Sequence, residues 1–403
     1  MKRGIRYIEW LLSSMLILLL LTGCASSSYE EGEELPQEKP VLKIYLFAPD
    51  SPIVTRSEIG KVDATDEEKS INTLDVWAFK VNTDDLVGYI HLSNQTFDGQ
   101  KEIAMEISDD FATNPTNIDI YVAANVMISN CGLNLGRNVT QADLTNALIA
   151  DKTEGDFFGV TTPVMSVPVE GLPMSGLLKD QLVTGSAPVL AAKTRNVQLV
   201  RAVSKVRFIF SKSASNSTAI TNLSIKLHEG VLPKQEYLFL DGPYNEASNF
   251  IHVKAEGGYN AEATLVEGKT ADDINSCDDP ASYTYTSETG QAYETKINEG
   301  LKIQDGQTSA DLSELGRFYL RESDRFYYTD PLDASKMITG TISYKVGDDE
   351  KSANFTIAGD NDFTRNHTWI VYGYFLGSGT LMLNIVDVKA WTESSGNPKV
   401  HNW

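Results

Sequence analysis

Lysine and arginine number 34 against 55 aspartates and glutamates in 403 residues, a formal charge of -21. A surface this acidic repels nucleic acid and anionic lipid instead of steering them in, so neither is expected as a partner. Three cysteines are too few for a disulfide framework, and the length suggests two domains of ordinary size.

At the N-terminus, Lys2, Arg3 and Arg6 precede an apolar run from Leu11 to Leu21 that ends in Leu21-Thr22-Gly23-Cys24. This is the layout of a signal peptide over residues 1–23, because the run falls short of the roughly 20 residues of a permanent membrane helix. The Leu-x-Gly-Cys ending resembles the bacterial lipobox, in which the cysteine thiol accepts a diacylglycerol before cleavage. Cys24 would then be the lipidated first residue of the mature protein. Residues 24–40 follow as a tether rich in Ser and Glu, too polar to pack a core. Acidic tracts in this place resemble the surface-export signals of Bacteroidetes lipoproteins. With Cys24 acylated, Cys131 and Cys277 remain, either paired or as thiols.

From Val41 onward, hydrophobic alternation with period two marks half-buried strands. In Val41 to Phe47 the aliphatics Leu42, Ile44 and Leu46 share one face and Val41, Lys43, Tyr45 and Phe47 the other, and Pro49 and Pro52 then stop the strand. Strands are predicted over Leu74 to Lys80, Leu86 to Leu92, Ile103 to Ile107 and Ile118 to Val126. One helix is predicted from an N-cap at Thr140 through Leu144 and Leu148. Alternation resumes after Val197 and recurs to Leu381–Trp391, while residues 256–307 read as long polar loops. Many short strands with turns between them predict an all-β chain, with a boundary near Ala192 and two β-sandwiches in series over 57–192 and 193–403.

Catalytic spacings are missing. The five histidines, His91, His228, His252, His367 and His401, are scattered with no His-Glu-x-x-His, and each reads as a surface or edge residue. Gly268-Lys269-Thr270 lacks the upstream glycine of a phosphate-binding loop, Ala263 standing there, and its setting reads as loop. Asp360-Asn361-Asp362 lacks the ladder of a calcium loop and reads as a polar turn. No Gly-x-Ser-x-Gly elbow occurs. No enzyme, metal or cofactor is expected.

Three segments taken together point further: Gly171-Leu172-Pro173-Met174-Ser175-Gly176, then Leu199-Val200-Arg201-Ala202-Val203-Ser204-Lys205-Val206, then Arg365-Asn366-His367-Thr368-Trp369 with Leu381 to Trp391. Singly, Pro173 to Gly176 reads as a turn, Arg201 and Lys205 as outward residues on a strand, and Trp391 and Trp403 as packing residues. In this order behind a lipobox, they resemble the fimbrillin family of type V pili in Bacteroidetes, over most of the chain from Cys24 to Trp391.

The resemblance implies two tandem transthyretin-like β-sandwiches. It also implies export as a lipoprotein to the outer membrane, and strand exchange with other pilus subunits once an Arg-specific protease removes the first strand. On that pattern residues 41–56 are a propeptide, cut between Arg56 and Ser57 in a polar stretch, Ser57 to Ser70, that offers nothing to bury. Removing Val41 to Phe47 would open an apolar groove once filled by Leu42, Ile44 and Leu46. Refilling it recovers on the order of 10 kcal/mol gross, from about 1.5–3 kcal/mol per aliphatic and roughly 1 kcal/mol per ladder bond. The candidate donor is Leu381 to Val388, with Leu381, Leu383, Ile385, Val386 and Val388 as its apolar residues; the same segment also reads as the last strand of its own domain. The tail from Thr392 to Trp403 is short and polar, and reads as able to contribute to exchange without forming a long strand.

Adhesion at a cell-surface fimbrium, with a host or bacterial receptor, is the implied role. A second reading is a monomeric outer-membrane lipoprotein that binds glycan or a host ligand, and it has no need of Arg56. A hydrolase would require a convergent acidic pair and ranks last.

Overall fold

The computed structural model describes residues 39–47, 66–95, 100–126, 131, 133–150, 167, 169–216, 218–240, 258–277, 285–286, 292–293, 313–322, 338–357, 365–366, 368–388 and 399–401. Strands dominate, as the alternation predicts. Residues 39–403 form one compact unit.

The first half of the compact unit holds β1 (Val41–Phe47), β2 (Ile71–Lys80), β3 (Leu86–Gln95), β4 (Gln100–Glu106), β5 (Ile118–Ala124), β6 (Leu148–Ala150), β7 (Met174–Gln181), β8 (Val183–Ser186), β9 (Val189–Gln198) and β10 (Val200–Arg201). Short helices interrupt them, among them α1 (Asp66–Lys69), α2 (Asp109–Thr113) and α3 (Gln141–Thr145). A four-stranded sheet runs in the order β4-β1-β9-β8 and a five-stranded sheet in the order β10-β7-β5-β2-β3. Their facing sides share one core, in which Leu42, Ile44 and Ile103 of the first sheet meet Leu74, Val76 and Val122 of the second. The five-stranded sheet is covered on both faces, since β5 is buried at every position. On its far side Trp77 donates its indole N–H to the Gly136 carbonyl at 2.8 Å, and Tyr121 packs edge-on against Phe239.

The second half holds β11 (Ser204–Ser213), β12 (Ile220–Leu227), β13 (Gln235–Tyr237), β14 (Ala263–Lys269), β15 (Ser276–Cys277), β16 (Tyr285–Thr286), β17 (Ala292–Tyr293), β18 (Ser313–Leu320), β19 (Ile338–Val346), β20 (Asp349–Ile357), β21 (Thr368–Phe375), β22 (Leu381–Val388) and β23 (Lys399–His401). One sheet runs β15-β11-β21-β22-β23 with β18 also on β11, and the other runs β14-β12-β19-β20. A second core lies between them, where Phe208 meets Phe318 and Phe355 edge to face at 5.9 and 5.6 Å. The chain leaves the first core at Val203 and enters the second at Val206. The segment after β12 returns to the first half, where β13 pairs β6 and Leu238 and Phe239 join the first core.

Several local expectations are corrected. Thr140 caps α3 through a capping box with Asp143, but the helix stops at Thr145, and Leu148 opens β6, held by its ladder to β13. Pro173 to Gly176 is not a turn: Met174, Ser175 and Gly176 begin β7, and the turn lies at Gly171, with φ +86°. Gly268 to Thr270 ends a strand and caps a 3-10 helix at Ala271–Asp273, rather than lying in a loop. Residues 256–307 are thus structured at least from 263 to 277, where apolar Leu265 and Val266 pack into the second core. The polar turn read at 360–362 and the residues Trp391 and Trp403 lie outside the described residues.

The alternation of β1 is strict: Leu42, Ile44 and Leu46 are fully buried while the intervening residues are half-exposed. Ile44→Ala is therefore expected to cost about 2–5 kcal/mol, and Lys43→Ala no more than about 1 kcal/mol. Urea denaturation of the two variants beside the parent chain measures both, and equal losses would contradict this placement of the strand.

Candidate assembly site

β1 occupies the middle of its sheet. It pairs antiparallel with β4 along its whole length, from Val41 opposite Glu106 to Phe47 opposite Gln100. On its other edge it runs parallel to β9, with a bulge in the register between Lys43 and Tyr45. The ladder extends past both ends of the strand. The Val41 N–H donates to the Pro188 carbonyl at 2.8 Å, the Ile107 N–H to Pro40 at 3.0 Å and the Leu199 N–H to Phe47 at 3.0 Å.

The outward face of β1 is polar and tied to β4. Lys43 Nζ lies 2.7 Å from Glu102, the Tyr45 hydroxyl donates to the same carboxylate at 2.6 Å, and Lys39 Nζ lies 2.9 Å from Glu106. Without β1, the residues just after β4 would keep the bridge from Ile107 to Gly88 and the bond from the Ser108 N–H to the Val87 carbonyl, both to β3. β9 would keep β8 as its other neighbour. The walls of the seat are thus held from outside it, and a strand-shaped slot bounded by two unpaired edges is a template for another strand.

Of the residues predicted from sequence to act in assembly, Cys24, Arg56 and Ser57 lie outside the described residues. β22 sits between β21 and β23 in its own sheet, with Leu381 and Leu383 half-buried against the second core. Ile385, Val386 and Val388 lie opposite Val371, Ile370 and Thr368, and the first two also opposite His401 and Val400. The candidate donor strand therefore pairs within its own domain, and the tail supplies three residues to the edge beside it.

The structure also brings together residues that the sequence reading kept apart. Arg201 and Lys205 are not outward strand residues but buried ones, 0% and 2% exposed, and Arg365 and Asn366 are buried with them. Their focus is Glu68 in α1, fully buried in a stretch read from sequence as offering nothing to bury. Its carboxylate accepts the Tyr319 hydroxyl at 2.5 Å and Lys205 Nζ at 3.3 Å, with Arg317 Nη1 at 3.9 Å. Arg201 donates Nε to the Glu68 carbonyl at 3.1 Å and Nη1 to Asn366 Oδ1 at 3.3 Å, and the Asn366 N–H donates to the Val203 carbonyl. Burial and the negative charge and hydrogen bond of Glu68 push the Tyr319 phenol well above its ordinary value, so it stays a donor.

Two further charged groups flank this focus. Arg365 donates Nη2 to Glu322 Oε1 and to the Tyr237 carbonyl, each at 2.6 Å, and Nη1 to the Leu238 carbonyl at 2.8 Å. Burial alone would lower its pKa, but the facing carboxylates of Glu322 and Glu236 outweigh that and hold the guanidinium charged. Burial pushes Glu236 up, against the pull of Arg365. At the partly exposed end, Glu314 receives two-pronged hydrogen bonds from both Arg207 and Arg317, at 2.8–3.2 Å. Burial would raise its carboxyl, but the hydrogen bonds from Arg317 and Arg207 prevail and hold it at about 2.

None of this forms a catalytic arrangement of nucleophile and base. Among the described residues no group of three or more His, Cys, Asp or Glu is placed to hold a metal. His91 lies exposed on the edge strand β3 beside Asp75, and His228 is bonded to Thr339 and Thr341 at 2.8 Å each. No helix among the described residues is long and apolar enough to cross a membrane. What the chain does possess is the central strand β1 and a charged junction downstream of it.

Residues 42–227, from within β1 to the end of β12, match the family model described as major fimbrial subunit protein (FimA). These residues belong to the fimbrillin family. A candidate cell adhesion protein from Parabacteroides distasonis is similar in fold, with a TM-score of 0.50 at 14% identity over 91% of this chain and 96% of that one. The tip fimbrial protein Mfa3 of Porphyromonas gingivalis, with a C-terminal truncation, aligns over 91% of this chain and 100% of its own at 13% identity and a TM-score of 0.43. A fimbrilin from the same organism aligns over 87% and 97% at 12% identity, with a TM-score of 0.43. No curated protein sequence matches the chain.

The motif residues Arg201, Lys205, Arg365 and Asn366 thus serve the junction rather than an exposed surface. Sequence gave no sign of Glu68, one carboxylate among Asp66, Glu67 and Glu68, because its partners lie far along the chain. Glu68→Leu is expected to destabilise the protein by about 3–5 kcal/mol, since it strands a buried ammonium. The double variant with Lys205→Met should lose clearly less, and guanidinium denaturation of the pair decides whether the two side chains act on one another. For Glu314 the folded-state value of about 2 lies below the ordinary 4.5. Its contribution is therefore present above about pH 4.5 and lost as pH falls from there toward 2. Glu314→Gln should flatten that limb of the stability profile while leaving its slope near neutrality unchanged, as measured by thermal unfolding across pH.

Proposed function

We propose that this protein is a structural subunit of a cell-surface pilus, exported as a lipoprotein on Cys24, cut between Arg56 and Ser57, and polymerised with other pilus subunits by strand exchange. The observation that carries the proposal is the seat of β1. Its three inward aliphatics are fully buried in the middle of a sheet, and the chain just beyond it runs into the segment that contains Arg56. Membership of the fimbrillin family supports the same role.

A cut in that segment turns β1 from an integral strand into a bound peptide that another chain can displace. The ladder bonds and buried aliphatics that hold β1 are available in equal number to an incoming strand, so exchange is near balance per contact and is drawn forward by mass action. β22 is the candidate donor, because its residues alternate as the slot requires; donation would require it to leave β21 and β23. The acidic tether carries the precursor at the outer membrane, and adhesion follows from the assembled fibre.

Treating the purified chain, begun after Cys24, with an Arg-specific protease is expected to give a new N-terminus at Ser57 and high-mass polymers by size-exclusion chromatography. Arg56→Ala should remain an intact monomer under the same treatment. An uncut Arg56 in the parent chain, or a cleaved chain that stays monomeric, would instead favour a monomeric surface lipoprotein that binds glycan or a host ligand.

A further inference from the structure

We infer that Glu102 selects the strand that fills the slot between β4 and β9: the favoured occupant presents a lysine or arginine where Lys43 stands and a hydrogen-bond donor where Tyr45 stands. This rests on strand exchange as proposed above and adds to it the chemistry of the partner.

The inward face of β1 offers little discrimination, because Leu42, Ile44 and Leu46 fill a general aliphatic groove that any alternating strand can enter. Selectivity has to come from the outward face. There Glu102, directly opposite Tyr45 in the antiparallel register and diagonal to Lys43, takes the Tyr45 hydroxyl at 2.6 Å and the Lys43 ammonium at 2.7 Å. The other wall supplies no acidic residue along this stretch: Lys43 pairs Ala191 and Tyr45 pairs Asn196 of β9, with Ala192 to Arg195, two of them basic, in the bulge between. The cation preference therefore comes from β4.

Exposure separates the two acidic positions on that strand. The side chains of Lys43 and Glu102 are 34% and 40% exposed, against 71% and 61% for Lys39 and Glu106. Solvent screens the second pair more strongly, which places the greater weight on Glu102.

β22 of a second copy fits this face poorly. Asp387 is the one charged residue from Leu381 to Val388, and the nearest cation, Lys389, follows the strand's last residue, so within Leu381 to Val388 no residue sets a cation beside Glu102. A register with Val386 and Val388 inward brings Asp387 to the outward face, where like charges oppose one another. The slot is thus better matched to a strand that is aliphatic on its inward side and basic on its outward side than to Leu381 to Val388, whose candidacy rests on its apolar residues alone.

The test uses the chain from residue 25 to 403 with a specific protease site inserted after Arg56, so that nicking does not depend on natural processing. After nicking, β1 remains seated as a non-covalent peptide. Excess synthetic peptides are then added: residues 39–47, the same peptide with Lys43→Glu, and residues 381–388, with occupancy read by native mass spectrometry. The parent peptide should exceed the Lys43→Glu peptide by about three- to tenfold, the size of one cross-strand charge reversal, and should also exceed the 381–388 peptide. Glu102→Lys in the chain should invert the preference between the first two peptides, and Glu102→Gln should nearly abolish it. Equal occupancy by the two peptides, or a preference that Glu102→Lys leaves unchanged, overturns the inference while leaving exchange intact. Entry of no peptide at all overturns strand exchange and the inference with it.

Discussion

A strand in the interior of a sheet must satisfy its backbone on both edges, and β1 does so with partners that come from distant parts of the chain. β4 follows it after β2 and β3, while β9 arrives only after β2, β3, β5 and β7 of the five-stranded sheet. The parallel pairing to β9 cannot be made by a hairpin and needs a long connection. The four-stranded sheet is therefore non-local, and β1 is the piece that joins its two sides. Because β4 is also bridged to β3, and β9 is backed by β8, each side has support that does not pass through β1.

The second constraint is the buried charge around Glu68. Taking a carboxylate, an ammonium and guanidinium groups out of water is costly, and their mutual attraction offsets that cost only when hydrogen bonds complete the shell. Here they do: Glu68, Tyr319, Arg201 and Asn366 are linked through side-chain and main-chain groups. Such a network adds less net stability than an apolar patch of equal volume would, but a misplaced partner is heavily penalised. It acts where the chain passes from the first core to the second, between Val203 and Val206. The return of Leu238 and Phe239 to the first core adds an apolar contact to the same junction, beside the guanidinium of Arg365.

What could be read from sequence follows from which interactions are local. β1 was legible because half-burial imposes a period of two on side chains, and the strand is buried in just that pattern. The cap at Thr140 was legible for the same reason, since Thr140 and Asp143 are three residues apart. The extent of α3 was not, because Leu148 is taken by a ladder to β13, a partner found only through the tertiary fold. Arg201 and Lys205 carry the pattern of an ordinary exposed strand, and nothing within a few residues tells that Glu68 meets them. The motif that marks the family was thus visible, while the physical reason for it was not. The fully buried strand β5 shows the opposite case, where Ile118 to Ala124 read correctly as strand but gave no hint that both of its faces are covered.

The two constraints meet in the segment between β1 and α1. On its upstream side the chain is held by backbone ladders and three buried aliphatics, and on its downstream side by the carboxylate and carbonyl of Glu68. These attachments differ in kind and share no residue. A break between them would release neither piece at once: β1 would stay in its slot by non-covalent contacts alone, while the downstream piece would keep its attachments at Glu68. Loss of β1 would then expose β4 and β9, whereas Glu68, Arg201 and Lys205 are tied to one another, to Tyr319 and to Asn366 at the passage between the two cores. On the strand exchange proposed above, the entering strand would meet walls that keep their outer neighbours, and walls already ordered lower the ordering cost of its entry.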